Sequence, residues 1–242
     1  MRIAKIHKSA IHSGEEPFVL GNDRAGMIYF SGCHLKCSFC YVPEISRNNL
    51  WGTPEALISA LDQLQHTGAK NLSLLTVTHF WRGLISVIRK YSSPLPWVIK
   101  LSGYEPFDFL KQLTYLPNAV LNFDFKFFSE ASRRFNLPAQ YGVVASQAIE
   151  YLNSRIPVSF SKDSKLTSGP FVRHLWVPQM ESETHLILHF LKSIQFRGPF
   201  NLMTRFIDPE ENKLLVAPSS FVSQCRELAS GIPFYVDGRL YE

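Results

Sequence analysis

The chain runs to 242 residues, 45% of them apolar, enough to bury one sizeable core within one domain. Its 25 lysines and arginines against 20 acidic residues leave a formal charge of +5, which suits anionic ligands but falls short of the clustered basic face of a nucleic-acid binder. The opening MRIAKIHKSAIHSGEEPF has no apolar targeting core and no run is long enough to span a bilayer, so the sequence reads as a soluble cytosolic protein without membrane association.

In chain order, residues 1–26 read as an N-terminal extension, with Glu15 and Glu16 as solvated carboxylates outside any site. The first strand candidate is MIYFS (27–31), followed by a cysteine-rich loop. Thr53 then stands as an N-cap, Pro54 takes the first helical position and Gly68 stops the helix, whose buried stripe is Leu57, Ala60, Leu61 and Leu64. LSLLTV (72–77) predicts the next strand, and Leu84, Val87, Ile88 and Tyr91 recur at helical spacing after it. WVIKL (97–101), AVLNF (119–123), FVRHLWV (171–177) and FNLM (200–203) are further strands, each ahead of a helix candidate. The clearest of these helices places Ile187, Phe190, Leu191 and Ile194 on one face. Residues 153–169 read as a mobile polar loop, a candidate cover for the open side of a barrel. The C-terminal segment, 211–242, holds the last helix and Cys225, an unpaired cysteine that suits the core.

Apolar strands alternating with amphipathic helices predict a parallel sheet, because each right-handed crossover lays its helix on the sheet. The expected fold is α/β, an incomplete TIM-like (β/α)6 barrel with its core at 27–210, in a single domain. Polar residues gather where the strands end: the cysteines, then Thr76, Thr78 and His79, then Ser102, then Asp124 and Lys126, then Arg173 and His174 in the fifth strand, and Thr204 and Arg205 after the sixth. Barrel sites are built at that rim.

Cys33, Cys37 and Cys40 fall in SGCHLKCSFCYVPEIS with the spacing C-x3-C-x2-C, too short for a zinc ribbon. In the cytosol such cysteines bind metal or do redox chemistry more often than they form disulfides. Three thiolates suit a cubane iron-sulfur cluster, which usually takes four; with three, one iron stays open to a small molecule.

This loop after the first strand, with Phe39 before its last cysteine, resembles the signature of radical S-adenosylmethionine (SAM) enzymes. In order, GEEP (14–17), the cysteine loop, TVTHF (76–80), SGYE (102–105), DFKF (124–127), VRHLWVP (172–178) and NLMTRF (201–206) are similar to the blocks of a subfamily described as pyruvate formate-lyase activating enzyme-like. The resemblance implies a [4Fe-4S] cluster on Cys33, Cys37 and Cys40, with SAM chelating the fourth iron. It implies reductive cleavage of SAM to a 5'-deoxyadenosyl radical that takes hydrogen from a substrate, the oxidoreductase chemistry that activates glycyl-radical enzymes in that subfamily. Because such a cluster must be reduced, a flavodoxin or ferredoxin is implied as electron donor; the substrate stays open among a protein, a peptide and a small molecule, and a chain this short, with the barrel's open side to cover, suits a protein.

By motif position, Phe39 and the backbone at Tyr41 would meet the adenine. Thr76, Thr78 and His79 stand where many such enzymes carry a glycine-rich stretch that binds the SAM amino group, a departure from the pattern. Ser102, Asp124 and Lys126 fall where ribose and methionine are held, although Asp124 and Lys126 are also placed to pair with each other. Arg173 suits the SAM carboxylate or the charge of the thiolates, and strand alternation then turns His174 away. The competing reading is an iron-sulfur electron-transfer or sensor protein that does not cleave SAM.

Overall fold

Each of the six apolar runs forms a strand of one sheet in the structure, a computed structural model that describes residues 2–14 and 16–241. We label the main elements β1 (Ile6–His12), β2 (Ala25–Phe30), α1 (Pro54–His66), β3 (Asn71–Leu75), α2 (Trp81–Lys90), β4 (Trp97–Leu101) and α3 (Phe107–Leu113). They continue as β5 (Ala119–Asp124), α4 (Tyr141–Arg155), β6 (Leu166–Leu175), α5 (Glu181–Ser193), β7 (Phe200–Met203), α6 (Ser219–Leu228), β8 (Phe234–Val236) and β9 (Arg239–Leu240). Strands neighbour one another in chain order from β1 to β9, and β2 through β8 run parallel. The antiparallel strands β1 and β9 form the two edges and do not pair with each other, so the barrel is incomplete.

Local chemistry sets the elements. Thr53 caps α1, its hydroxyl oxygen accepting from the Ala56 amide at 3.3 Å, and Leu57, Leu61 and Leu64 bury the helix against the sheet. Such a side chain, wholly buried, stabilises the fold by about 2 kcal/mol.

Two expectations change. The sheet has a seventh parallel strand, β8, inside the C-terminal segment, because Phe234–Val236 is too short to show a period yet buries Phe234 and Tyr235. It turns into β9 through Asp237 and Gly238, both at positive φ, the two-residue turn that matches strand twist. Residues 153–169 are not a mobile cover. The chain leaves α4, pairs Ser159–Phe160 with the start of β6, and lies at the end of the sheet opposite the strands' carboxyl termini. The serines and lysines there satisfy a hairpin: Ser161 donates its amide to Lys165 O at 2.8 Å, and Lys165 reaches Pro17 O.

That opposite end is closed from within. Phe18 and Val19, in the expected N-terminal extension, pack with Val98, Val120, Leu166, Phe171 and Tyr235 as an apolar plug on the concave face. One step along each strand toward its carboxyl end, the same face turns polar, with Lys100, Asn122 and Arg173.

Candidate functional site

The cysteine loop is anchored at its root. After β2, Ser31 donates its amide to Lys5 O at 2.8 Å, and Gly32 donates to Ile45 O at 2.9 Å. Gly32 has φ +86°, and a Cβ there would sit 2.2 Å from Asn49 Oδ1, so the turn demands glycine. Farther along, Phe39 meets Phe127 and Phe135 edge-on at 6.0 and 5.6 Å, and Ser38 donates its amide to Phe135 O at 3.1 Å. Cys33, Cys37 and Cys40 are half-buried free thiols, and the Cys40 thiol lies 3.5 Å from Ser46 Oγ.

The three thiols open onto a cavity of about 360 Å³ at the carboxyl ends of the strands. Phe39, Tyr41, Thr76, Thr78, Ser102, Asp124, Lys126 and Arg173 line it too. His79 does not. Its Nε2 lies 2.9 Å from Ser31 O, bracing the root of the loop from behind. Thr76 follows β3 at φ +60°, a left-handed conformation unusual for a β-branched residue, and its hydroxyl reaches Phe30 O at 3.1 Å. The strained turn falls where the resemblance leads one to expect glycine.

Charged groups on the concave face form a chain. Asp124 takes a bidentate pair from Arg173, Nε to Oδ1 at 2.7 Å and Nη2 to Oδ2 at 3.1 Å, and also pairs with Lys126 at 3.1 Å. Arg173 Nη1 continues to Glu16 at 3.1 Å, and Glu16 lies 3.7 Å from Lys100. Glu16, expected in solvent, is only 2% exposed and is a member of this chain; Glu15 lies outside the described residues. Burial alone would raise the Asp124 pKa, but Arg173 and Lys126 hold the carboxyl well below its usual range. Burial likewise opposes charge on Lys126, and Asp124, then Cys37, keep its pKa above the ordinary value. Lys126 is therefore the cation placed toward the thiols, whereas Arg173 grips Asp124.

His174 faces away, as alternation requires: its Nδ1 donates to Phe125 O at 2.7 Å and its Nε2 accepts from Thr184 Oγ1 at 2.9 Å. Cys225 is wholly buried in α6, where desolvation pushes its thiol to about 12, far from any ligand role.

A radical SAM methyltransferase from Sphaerobacter thermophilus superposes on 87% of this chain and 65% of its own, with a TM-score of 0.63 at 11% identity. The chain has the fold of radical SAM enzymes. Streptococcus suis SuiB bound to the precursor peptide SuiA matches 87% of the chain and 47% of SuiB, with a TM-score of 0.59 at 9% identity. SuiB bound to SAM matches 87% and 51%, with 0.57 at 10% identity. The chain thus spans less than two thirds of each of these structures, and none of them is a pyruvate formate-lyase activating enzyme. No protein-family model and no curated protein matches the sequence.

The residues suit the cofactors of the radical SAM fold. Among the described residues, no three His, Cys, Asp or Glu side chains converge as the ligands of a single metal ion do. A cubane asks for something else, three thiolates on three separate irons, and the three cysteines line one cavity. Burial, followed for Cys37 by the pull of Lys126, sets the resting thiols: Cys33 is pushed up and Cys37 rises to about 11, so a cation that binds them displaces protons.

Sequence reasoning missed Glu105. This buried carboxylate accepts from Thr78 Oγ1 at 3.0 Å, Ser102 Oγ at 2.7 Å, the Ser102 amide at 2.6 Å and the Gly103 amide at 3.1 Å. It fixes two hydroxyls that line the cavity, and Ser102 Oγ in turn lies 3.1 Å from His34 Nε2, another lining residue. Burial raises the Glu105 pKa, against the Ser102 hydroxyl and amide, the Thr78 hydroxyl and the charge of Lys126. The only sequence signal was its place in SGYE, since nothing in local periodicity marks a buried acid.

Proposed function

We propose that this chain is a radical SAM enzyme. Cys33, Cys37 and Cys40 would hold one [4Fe-4S] cluster, and the cavity beside them would hold SAM. The observation that carries this reading is that the three-cysteine loop, Ser102 and the Asp124–Lys126–Arg173 group, far apart in sequence, open onto one cavity at the carboxyl ends of a parallel sheet. When bound, the cluster supplies the electron that splits SAM into methionine and a 5'-deoxyadenosyl radical.

The chain's own residues would do the rest. Phe39, held by Phe127 and Phe135, offers an aromatic surface beside the adenine. Ser102 and Thr78, fixed through Glu105, present hydroxyls to ribose or to the methionine part. Lys126 offsets the negative charge of the thiolates and of the SAM carboxylate, while Arg173, gripping both Asp124 and Glu16, sets the position of Asp124. The plug at the far end of the sheet keeps water from entering there.

The substrate is a protein or peptide in this reading. SuiB, which shares the fold, was captured with a precursor peptide. Activation of a glycyl-radical enzyme is one such reaction, and a flavodoxin or ferredoxin would supply the electron; both rest on likeness of motif. Anaerobic reconstitution tests the cofactor assignment. About four irons per chain and an EPR signal of the reduced protein that changes on adding SAM are expected. Unchanged EPR with a full complement of iron would favour an electron-transfer protein.

A further inference from the structure

Beyond β7 the chain forms a two-stranded ribbon, Arg205–Ile207 antiparallel to Leu214–Val216. Its hydrogen bonds set which backbone groups face inward. Ala217 donates to Thr204 O and Asp208 to Lys213 O, both at 2.9 Å, so the bonded pairs fall at even positions of the first strand: 204, 206 and 208. The N–H and C=O groups of Arg205 and Ile207 therefore point outward along one edge, and those of Leu214 and Val216 along the other. Among the described residues, no hydrogen bond from outside the ribbon's own ladder engages the Arg205 or Ile207 amide.

The first of these edges overlooks the cavity. Arg205, Phe206 and Ile207 all line it, although successive residues of a strand point to opposite faces, and no residue of Leu214–Val216 does. A strand can meet a cavity with both faces only by presenting its edge. Ile207 is 52% exposed there, Tyr41 on the cysteine loop is 66% exposed, and Glu210 and Glu211 stand exposed at the tip of the ribbon.

We propose that an extended peptide adds to the Arg205–Ile207 edge as a third strand, which lays it across the mouth of the cavity that holds the three cysteines. The proposal rests on the radical SAM reading for its purpose, though not for its geometry. Backbone pairing supplies affinity without demanding a sequence. Ile207 and Tyr41 favour an apolar side chain over the cavity, and Glu210 and Glu211 favour a basic residue in the flank that runs toward the tip. A bare strand edge otherwise invites indiscriminate pairing, so its place at a cavity mouth calls for a partner.

Random dodecapeptides displayed on their messenger RNA and selected on the full-length chain test this, with binding scored without SAM turnover. Enriched peptides should carry a basic residue to one side of an apolar one and slow hydrogen exchange at the Arg205 and Ile207 amides, leaving those of Leu214 and Val216 unchanged. Ile207→Pro removes an outward donor without touching the ribbon's own bonds and should weaken binding about tenfold, the worth of one backbone hydrogen bond. Leu214→Pro, on the far edge, should bind as wild type does. No enriched peptide, equal binding by Ile207→Pro, or protection elsewhere would overturn the proposal; the exchange measurement decides it should Ile207→Pro not fold. If wild type binds peptide at this edge but never cleaves SAM, the docking stands and the radical SAM reading fails.

Discussion

Replacing Glu105 by glutamine should destabilise the protein by about 2 kcal/mol, and the structure shows where the loss arises. Oε1 accepts from Thr78 Oγ1, Ser102 Oγ and the Ser102 amide, and a glutamine oxygen could keep those three. Oε2 accepts from the Gly103 amide at 3.1 Å, and an NH2 group there sets donor against donor. One orphaned buried amide costs about 1–3 kcal/mol, and the remaining bonds lose the charge that strengthened them. For a chain of 242 residues that lowers Tm by about 4–8 °C. Glu105→Ala, which loses all four bonds, should fall about twice as far. Thermal unfolding of the cluster-free protein, followed by circular dichroism, reads both. Because Thr78 and Ser102 line the cavity, the glutamine variant should also raise the KM for SAM more than it lowers kcat. A glutamine variant that melts within a degree of wild type would refute the claim that this carboxylate organises the rim.

Acid should weaken the fold through buried histidine. Burial lowers the His174 pKa from 6.5 to about 4, so between those values the unfolded chain binds the proton that the folded chain refuses. Stability therefore falls as pH drops from 6.5 to 4, by about 3 kcal/mol from this residue. Urea titrations across that range should show the slope, and His174→Gln should reduce it by this residue's share, leaving that of His34, which burial also lowers to about 4. Cys225→Ala should cost about 1 kcal/mol by the cavity it leaves, yet bind the same iron as wild type, which metal analysis after reconstitution checks.

What the sequence revealed and what it hid divide by range. The cysteine loop was legible because its three cysteines fall within eight positions, and the strands from 27 to 203 because their apolar runs are long enough to stand out. β8 was hidden by its three-residue length. Glu16 and Glu105 look like any surface acid in the chain, and only tertiary structure puts one between Arg173 and Lys100 and the other beneath Thr78 and Ser102. His79, next to Thr78 of the cavity lining, faces the root of the loop because the short helical turn at Thr78–Phe80 rotates it out. The polar composition of 153–169 concealed a hairpin whose backbone bonds are made within itself, with β6 and with Phe18 and Leu20.

In the proposed function an iron left open by three cysteines acts on SAM in this cavity. Chromatography of a reaction holding reconstituted protein, dithionite and SAM under strict anaerobiosis tests it. Wild type should form 5'-deoxyadenosine, and Cys33→Ala, Cys37→Ala and Cys40→Ala should form none. Iron-loaded wild-type protein that forms none, or cysteine variants that still form it, would overturn the assignment.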